Sequence, residues 1–214
     1  YNDPTKEALD EAKADRERLN KEFGIEFKVD PKQDYFLGAN RIGSDDRSKC
    51  TLKATTYIMD MAKNFFPDVD VSKSSAAMPA SWSYTPADET LVKAWEHAMG
   101  TRPKSDERLI KKYGSAYGAI LHASKYRPEI LAAMGLLGSC LTFPTETLYY
   151  CLMRVLVYLV RTKNVGITYS AHASNAHELT AKADTNWSER RSTTGFAIML
   201  AGASINPASR RQHC

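Results

Sequence analysis

No continuous apolar run in these 214 residues approaches the roughly 18 that a membrane span needs; the most apolar stretches are 130–143 and 148–160. A soluble protein is expected. Cysteine is scarce, and Cys50, Cys140, Cys151 and Cys214 show neither the short paired spacing of a zinc site nor the density of a secreted disulfide scaffold. Reduced thiols are therefore expected, two of them buried in helices. His172 and His177 stand in a polar Ala/Ser/Asn stretch without a nearby cysteine, which points to a loop rather than a metal site. Position 1 is Tyr rather than Met, and no basic segment followed by an apolar one lies near it, so the chain reads as a piece cut from a longer one. Internal repeats and low-complexity tracts are lacking as well.

What is present is an ordinary globular composition, 43% apolar and 25% charged, enough for one or two units with a core. The net charge of +4 is uneven. Residues 1–70 carry 12 Lys or Arg against 15 Asp or Glu, whereas residues 71–214 carry 17 against 10. That bias suits contact with a phosphate backbone, although solvated basic surfaces share it.

Asp3-Pro4, then residues 5–23, then Gly24, have the marks of a complete helix: an N-cap, Pro at the first helical position and Gly past the end. Leu9, Ala12, Leu19 and Phe23 give it one apolar stripe. Strands are predicted at 26–29, 34–42 and 49–52, the last two joined by the turn Gly43-Ser44-Asp45-Asp46, with a helix following at 55–66. Residues 67–86 are rich in Ser, Ala and Pro and read as a linker. Three helices, 106–124, 128–141 and 145–161, should form a bundle. Gly114, Gly118, Gly135 and Gly138 within two of them suggest close helix contact. Strands near 167–169, 178–184, 194–200 and 203–205 then look like a meander. The fold class is α+β, with helices in the middle and small sheets at both ends.

Several landmarks follow one another along nearly the whole chain. They are 35–42 (Tyr35-Phe36-Leu37-Gly38-Ala39-Asn40-Arg41-Ile42) with Tyr57-Ile58; Tyr113-Gly114-Ser115-Ala116-Tyr117-Gly118 running to Arg127-Pro128-Glu129; and Phe143-Pro144-Thr145 leading to Arg154 and to Thr162-Lys163-Asn164. The last are Lys182-Ala183-Asp184-Thr185-Asn186-Trp187, Arg190 to Gly195, and Gly202-Ala203-Ser204-Ile205. Together and in this order they resemble copia-type retrotransposon polyproteins, from just past the catalytic hairpin of the reverse transcriptase palm into the first strands of RNase H.

The resemblance implies four regions: 1–66, the end of the palm with a primer-grip hairpin; 67–105, a linker or surface segment; 106–170, thumb or connection helices; and 171–214, a truncated RNase H-like sheet. Phe36, Leu37, Gly38 and Arg41 would form the primer grip, with Arg41 reaching a phosphate. Lys111, Lys112, Arg154, Arg161 and Lys163 would line a channel for an RNA–DNA hybrid or primer–template, recognised by shape and backbone, or would simply be solvated. Arg127-Pro128-Glu129 has a structural account, in which Pro128 opens a helix and Glu129 complements its positive end. Asp184 would be the first carboxylate and metal ligand of the RNase H site, which in the full-length parent holds Mg²⁺ between several carboxylates.

The family's aromatic-x-Asp-Asp polymerase signature is missing, since Tyr1-Asn2-Asp3-Pro4 only echoes it, and after Asp184 the one remaining carboxylate is Glu189. The piece itself is therefore predicted inactive and without a tightly held cofactor. The chain departs from the family pattern at Ala54, Leu148 and Asn186, the last at the second acidic position of the RNase H strand, and at Met153, Val157 and Val160, where the loss of basic residues is expected to weaken contact with nucleic acid. An uncovered apolar face is expected around Phe196, Ile198 and Leu200, with poor solubility of that part. Two functions stay open: a primer- and template-positioning portion of an RNA-directed DNA polymerase, whose partners are the hybrid and the rest of the polyprotein, or a non-catalytic retroelement relic or nucleic-acid-binding remnant. Either would be intracellular, in a cytoplasmic particle or the nucleus, neither secreted nor in a membrane.

Overall fold

A computed structural model describes residues 6–26, 34–46, 48–67, 88–186 and 192–211. Two compact units divide the chain at residues 33 and 34. The first contains helix α1, Lys6–Phe23, ended by Gly24 in the left-handed region at φ +65°. The expected Asp3 cap and Pro4 lie outside the described residues, as do most of the strand at 26–29 and the linker up to residue 86. Ion pairs Asp10–Lys13 and Asp15–Arg18 run along the helix at 3.5 and 3.2 Å, while Ala12, Leu19 and Phe23 of the expected stripe are exposed.

The second unit is α+β. Strands β1 (Tyr35–Phe36), β2 (Ala39–Gly43), β3 (Lys49–Lys53) and β4 (Ile167–Ser170) form one antiparallel sheet in that order. Strands β5 (Thr180–Asn186), β6 (Thr193–Leu200) and β7 (Ala203–Arg211) form another. Between them in sequence come helices α2 (Thr55–Phe65), α3 (Glu89–Thr101), α4 (Glu107–Ala123), a 3₁₀ turn at Pro128–Ile130, α5 (Leu131–Gly138) and α6 (Glu146–Arg161). The boundaries expected at 66, 105 and 170 all fall inside this unit.

Three expectations need correction. Residues 89–101, assigned to the linker, form α3, because Asp88 caps it by accepting the Leu91 N–H at 2.9 Å and Leu91 and Ala98 bury one face. Strand β4, expected in the C-terminal meander, pairs instead with β3, Lys49 opposite Ser170 and Leu52 opposite Ile167. Gly166 permits this, since a Cβ there would strike the Leu52 carbonyl oxygen. Among the helix glycines only Gly138 marks a close approach, to the Tyr117 ring; Gly114 and Gly118 face open space.

Helices α2 to α6 share one core. Helix α6 is buried almost all round, with Leu148, Leu152, Val155, Leu156, Leu159 and Val160 fully enclosed and Met153 nearly so. Leu148, Met153 and Val160 therefore serve packing, and basic residues at those positions would be desolvated in the core rather than offered to a phosphate. The Tyr113 hydroxyl donates to the Leu137 carbonyl at 2.9 Å, joining α4 to α5, and burial pushes its pKa far up. Cys151 is buried within α6, but Cys140 lies in the turn after α5 and not in a helix; neither forms a disulfide, nor does half-buried Cys50. Thr193–Leu200 are half-buried throughout, so the apolar face expected to be bare at Phe196, Ile198 and Leu200 is partly covered.

A poor cap is rescued across the fold. Ala54 at the start of α2 has no capping side chain, and Asn40 Oδ1 of β2 accepts both the Thr56 N–H and its hydroxyl at 3.1 Å.

The polar centre of the unit is Arg127, 1% exposed. Its Nε donates to Glu129 Oε1 at 2.6 Å, Nη1 to the Thr162 carbonyl at 2.9 Å and Nη2 to Thr162 Oγ1 at 2.6 Å. Thr162 Oγ1 in turn donates to the Tyr158 carbonyl at 2.7 Å, and the guanidinium lies 5.5 Å from the Tyr158 ring centroid. The residue thus satisfies the Thr162 carbonyl at the end of α6 while its charge is matched by Glu129. The expected structural role of this tripeptide holds at Pro128, which opens the 3₁₀ turn; Glu129, however, is aimed at Arg127.

Arg127→Ala should destabilise the protein by roughly 3 kcal/mol, since it orphans a carboxylate and a carbonyl together. Urea unfolding showing less than about 1 kcal/mol would contradict that reading. A pH effect is expected at the β2–β3 turn, where hydroxyl and amide donors from Ser44 and then Ser48 pull the exposed Asp46 down to about 2. Its folded pKa is below the unfolded value of about 3.9, so its contribution is present above about pH 4 and lost as pH falls toward 2. An NMR titration placing the Asp46 carboxyl midpoint near 4 would refute the network.

Candidate functional site

The β1–β2 connection is a two-residue turn whose central residues, Leu37 and Gly38, have φ of +51° and +90°. Positive φ at both positions is the type I′ pattern that matches strand twist, and Gly38 suits it. Leu37 does not. A branched residue in the left-handed region costs about 1–2 kcal/mol and persists only where its surroundings enforce it. Leu37 is also 67% exposed, so packing of its side chain does not compensate.

The enforcement comes from the end of α4 and the loop after it. The Tyr126 hydroxyl donates to the Leu37 carbonyl at 3.0 Å, and His122 Nε2 approaches the same oxygen at 3.4 Å. A carbonyl only accepts, so in this contact Nε2 carries the proton. A Cβ on Gly38 would lie 3.1 Å from the same imidazole nitrogen. Tyr57 of α2 completes the support: its ring lies 4.8 Å from the His122 ring and its hydroxyl donates to the Ala119 carbonyl at 2.8 Å. Burial, then the neighbouring Tyr35, pushes the phenol pKa values of Tyr57 and Tyr126 upward, so both remain neutral donors at physiological pH.

The outer surface is apolar and aromatic, with Tyr35, Leu37, Ile42 and Leu121 exposed. Arg41 of β2 is exposed, pairs across the ladder with Leu52, and donates its N–H to the Asp34 carbonyl at 2.7 Å. Backbone at Phe36 lies in β1. Residues 34–42, expected as one strand, are broken at Leu37–Gly38 into β1 and β2, because both turn residues take positive φ; Phe36, Leu37, Gly38 and Arg41 thus share this short β-hairpin. Sequence reading missed His122 and Tyr126 as its supports; the only available signal was Leu before Gly at a turn, a poor residue for type I′ geometry.

The basic residues are more dispersed. Lys111 pairs with Glu107 one turn earlier at 3.0 Å, and both side chains are largely exposed. Lys112 Nζ sits 4.2 Å from the Tyr149 ring centroid. Arg154 is only 21% exposed and reaches Asp88 Oδ2 at 3.3 Å, so it ties α6 to the cap of α3. Arg161 is exposed in the last turn of α6, and the Lys163 carbonyl accepts the Thr55 hydroxyl at 2.8 Å beside the hairpin sheet. Tyr126 and Arg127, adjacent in sequence, link the two regions, one holding the hairpin tip and the other the end of α6.

Asp184 is exposed on β5, opposite Gly195, and accepts the Thr185 N–H at 2.9 Å. Glu189 and Trp187 lie outside the described residues. Among the described residues no three His, Cys, Asp or Glu side chains gather into a group suited to a metal ion. His172 and His177 lie exposed in the turns between β4 and β5. A separate cleft of about 510 Å³ lies between α3 and the start of α6, lined by Glu89, Lys93, His97 and Thr147 among others.

Leu37→Gly should stabilise the fold by about 0.5–1 kcal/mol, because the turn strain is removed and little packing is lost. Thermal unfolding of that variant below the parent temperature would show instead that the leucine side chain is held by contacts.

No family model matches the chain, and no solved structure does. A sequence match exists to the secreted RxLR effector protein 161 of Plasmopara viticola, 32% identical over 105 residues. The match covers 47% of this chain and 72% of that protein. At this identity, and over most of the relative's length, the chain belongs to the same family as the secreted RxLR effector protein 161 of Plasmopara viticola.

Proposed function

We propose that the chain is the primer- and template-handling part of a copia-type RNA-directed DNA polymerase, holding an RNA–DNA hybrid without a catalytic centre of its own. The observation that carries this reading is the Leu37–Gly38 tip, a strained and exposed turn fixed from beneath by Tyr126, His122 and Tyr57. Strain held at an exposed surface marks a place where geometry is kept for contact rather than for stability. Such a tip acts by positioning: it presents Tyr35 for stacking on an end base and Arg41 for a phosphate while a separate centre performs the transfer. Arg161, at the end of α6, and Lys163, in the turn beyond it, extend the cationic surface, and the basic bias of residues 71–214 supports the same partner. Asp184 belongs in this reading to an RNase H sheet whose other carboxylates come from elsewhere in a longer protein, as would the Mg²⁺ they hold.

A second reading is favoured by the sequence match alone. The relative is named as a secreted effector, and a chain of its family acting in that way would be a non-catalytic binding module outside the cell of origin. Location separates the two: the polymerase reading is intracellular, the effector reading secreted. No described helix is long and apolar enough to cross a membrane.

Under the first reading, fluorescence anisotropy should show binding of an RNA–DNA hybrid that weakens steeply with salt. Arg41→Ala should reduce the slope of log affinity against log salt by about 1. Leu37→Gly should lower affinity even as it raises stability. If the wild-type chain binds no hybrid at low salt, the polymerase-handling reading fails and the effector-like one stands.

A further inference from the structure

The turn before α6 and the first turns of that helix carry three aromatic rings, Phe143, Tyr149 and Tyr150, and each has a cation beside it. Arg102 Cζ lies 5.9 Å from the Phe143 ring centroid, Lys112 Nζ 4.2 Å from that of Tyr149, and Arg154 Cζ 5.8 Å from that of Tyr150. The cations come from the end of α3, from α4 and from α6 itself. The Ser105 hydroxyl donates to the Pro144 carbonyl at 2.6 Å, which fastens the α3–α4 loop to the turn that carries Phe143. Helical rise from Ser105 to Lys112 puts that fastening and the Lys112–Tyr149 contact roughly 10 Å apart.

Packing alone does not account for these residues. Tyr150 is 61% exposed, and Arg102 and Lys112 are exposed as well. Arg102 ends α3 in the left-handed region at φ +41°, where glycine or asparagine is the usual occupant. Lys104 and Arg108 add exposed positive charge on the same loop and helix. Arg154 is matched by Asp88 at 3.3 Å, so it braces the Tyr150 ring more than it offers charge. Thr147, one turn before Tyr150, also lines the cleft of about 510 Å³ against α3, which leaves room beside the ring for a flat group.

Rings flanked by cations suit a ligand that has flat faces and negative charge in alternation. An acidic peptide supplies the charge without the faces, and in a duplex the base faces are closed within the stack. Single-stranded nucleic acid offers both, a base for each ring and a phosphate for each cation. We propose that the α3–α4 loop, the start of α4 and the start of α6 form a binding surface for single-stranded nucleic acid. Tyr150 is its stacking platform, and Arg102 and Lys112 are its phosphate contacts. The surface uses no residue of the hairpin tip and takes unpaired strand rather than hybrid, so it stands or falls apart from the hairpin reading.

Fluorescence anisotropy of the full chain with a labelled oligouridine of about 12 nucleotides is the test. Binding that weakens with salt is expected. Tyr150→Leu keeps an apolar side chain but removes the flat face, and should weaken binding about tenfold, whereas Tyr150→Phe should stay within about twofold of the wild type. Lys112→Ala should lower the slope of log affinity against log salt by about 1. Arg102→Gly suits the backbone at its position, so it should weaken binding without lowering the unfolding temperature. All three side chains are exposed, and circular dichroism checks that the fold is kept. A wild-type chain that binds hybrid but not oligouridine overturns this proposal and leaves the hairpin reading intact; one that binds neither overturns both. Binding indifferent to Tyr150→Leu, or matched by polyglutamate of similar length, marks a plain polyanion surface and also overturns it.

Discussion

Arg127 is the constraint around which the larger unit is organised. A guanidinium has five donors and no way to lose its charge, so burying it to 1% exposure demands that carboxylate and carbonyl partners be in place together. Those partners come from the residue just past α6 and from the 3₁₀ turn that begins α5. The end of α4, the start of α5 and the end of α6 are thereby fixed at one point. Loops that would otherwise drift are held in register with the helices they connect, and Lys163, whose carbonyl meets Thr55, is set against the first sheet.

The hairpin tip depends on that fixing. Tyr126 immediately precedes Arg127, so the loop that anchors the guanidinium also aims the phenol at the Leu37 carbonyl. Strain at Leu37 is tolerated because its supports, Tyr126, His122 and Tyr57, belong to elements locked elsewhere. This makes the turn a rigid projection. It also explains why a leucine occupies a position whose backbone favours glycine or asparagine: local preference is overruled by distant anchors.

Much of the helical content was legible in local pattern. The helix predicted over 145–161 is α6, capped by Thr145, which accepts the Leu148 N–H at 3.1 Å; α2 and α4 begin and end within a residue or two of their predicted limits. Helix α3 was missed because a Ser/Ala/Pro tract precedes it, although the Asp88 cap and the spacing of Leu91, Trp95 and Ala98 were present as signals. The pairing of β4 with β3 was beyond local reading: Thr51 and Thr168 touch at 2.8 Å across 117 residues, and nothing in a four-residue strand names its partner. The Leu37–Gly38 turn was not legible, since 34–42 reads as one strand and the residues that hold the turn, His122 and Tyr126, lie more than 80 residues away.

By itself, the sequence determined the existence of every helix of the larger unit but α3, the mixed fold class, the thiol state expected of scattered cysteines and the lack of any long apolar run, since each depends on composition or on spacing within a few residues. Tertiary structure alone decided that the arginine of an Arg-Pro-Glu tripeptide is buried, that Met153 and Val160 pack in the core, that Arg154 is engaged with Asp88 and that β4 pairs with β3. Those outcomes turn on which groups leave water together. Desolvation and pairing are properties of neighbours brought together from distant parts of the chain, and a linear order does not contain them.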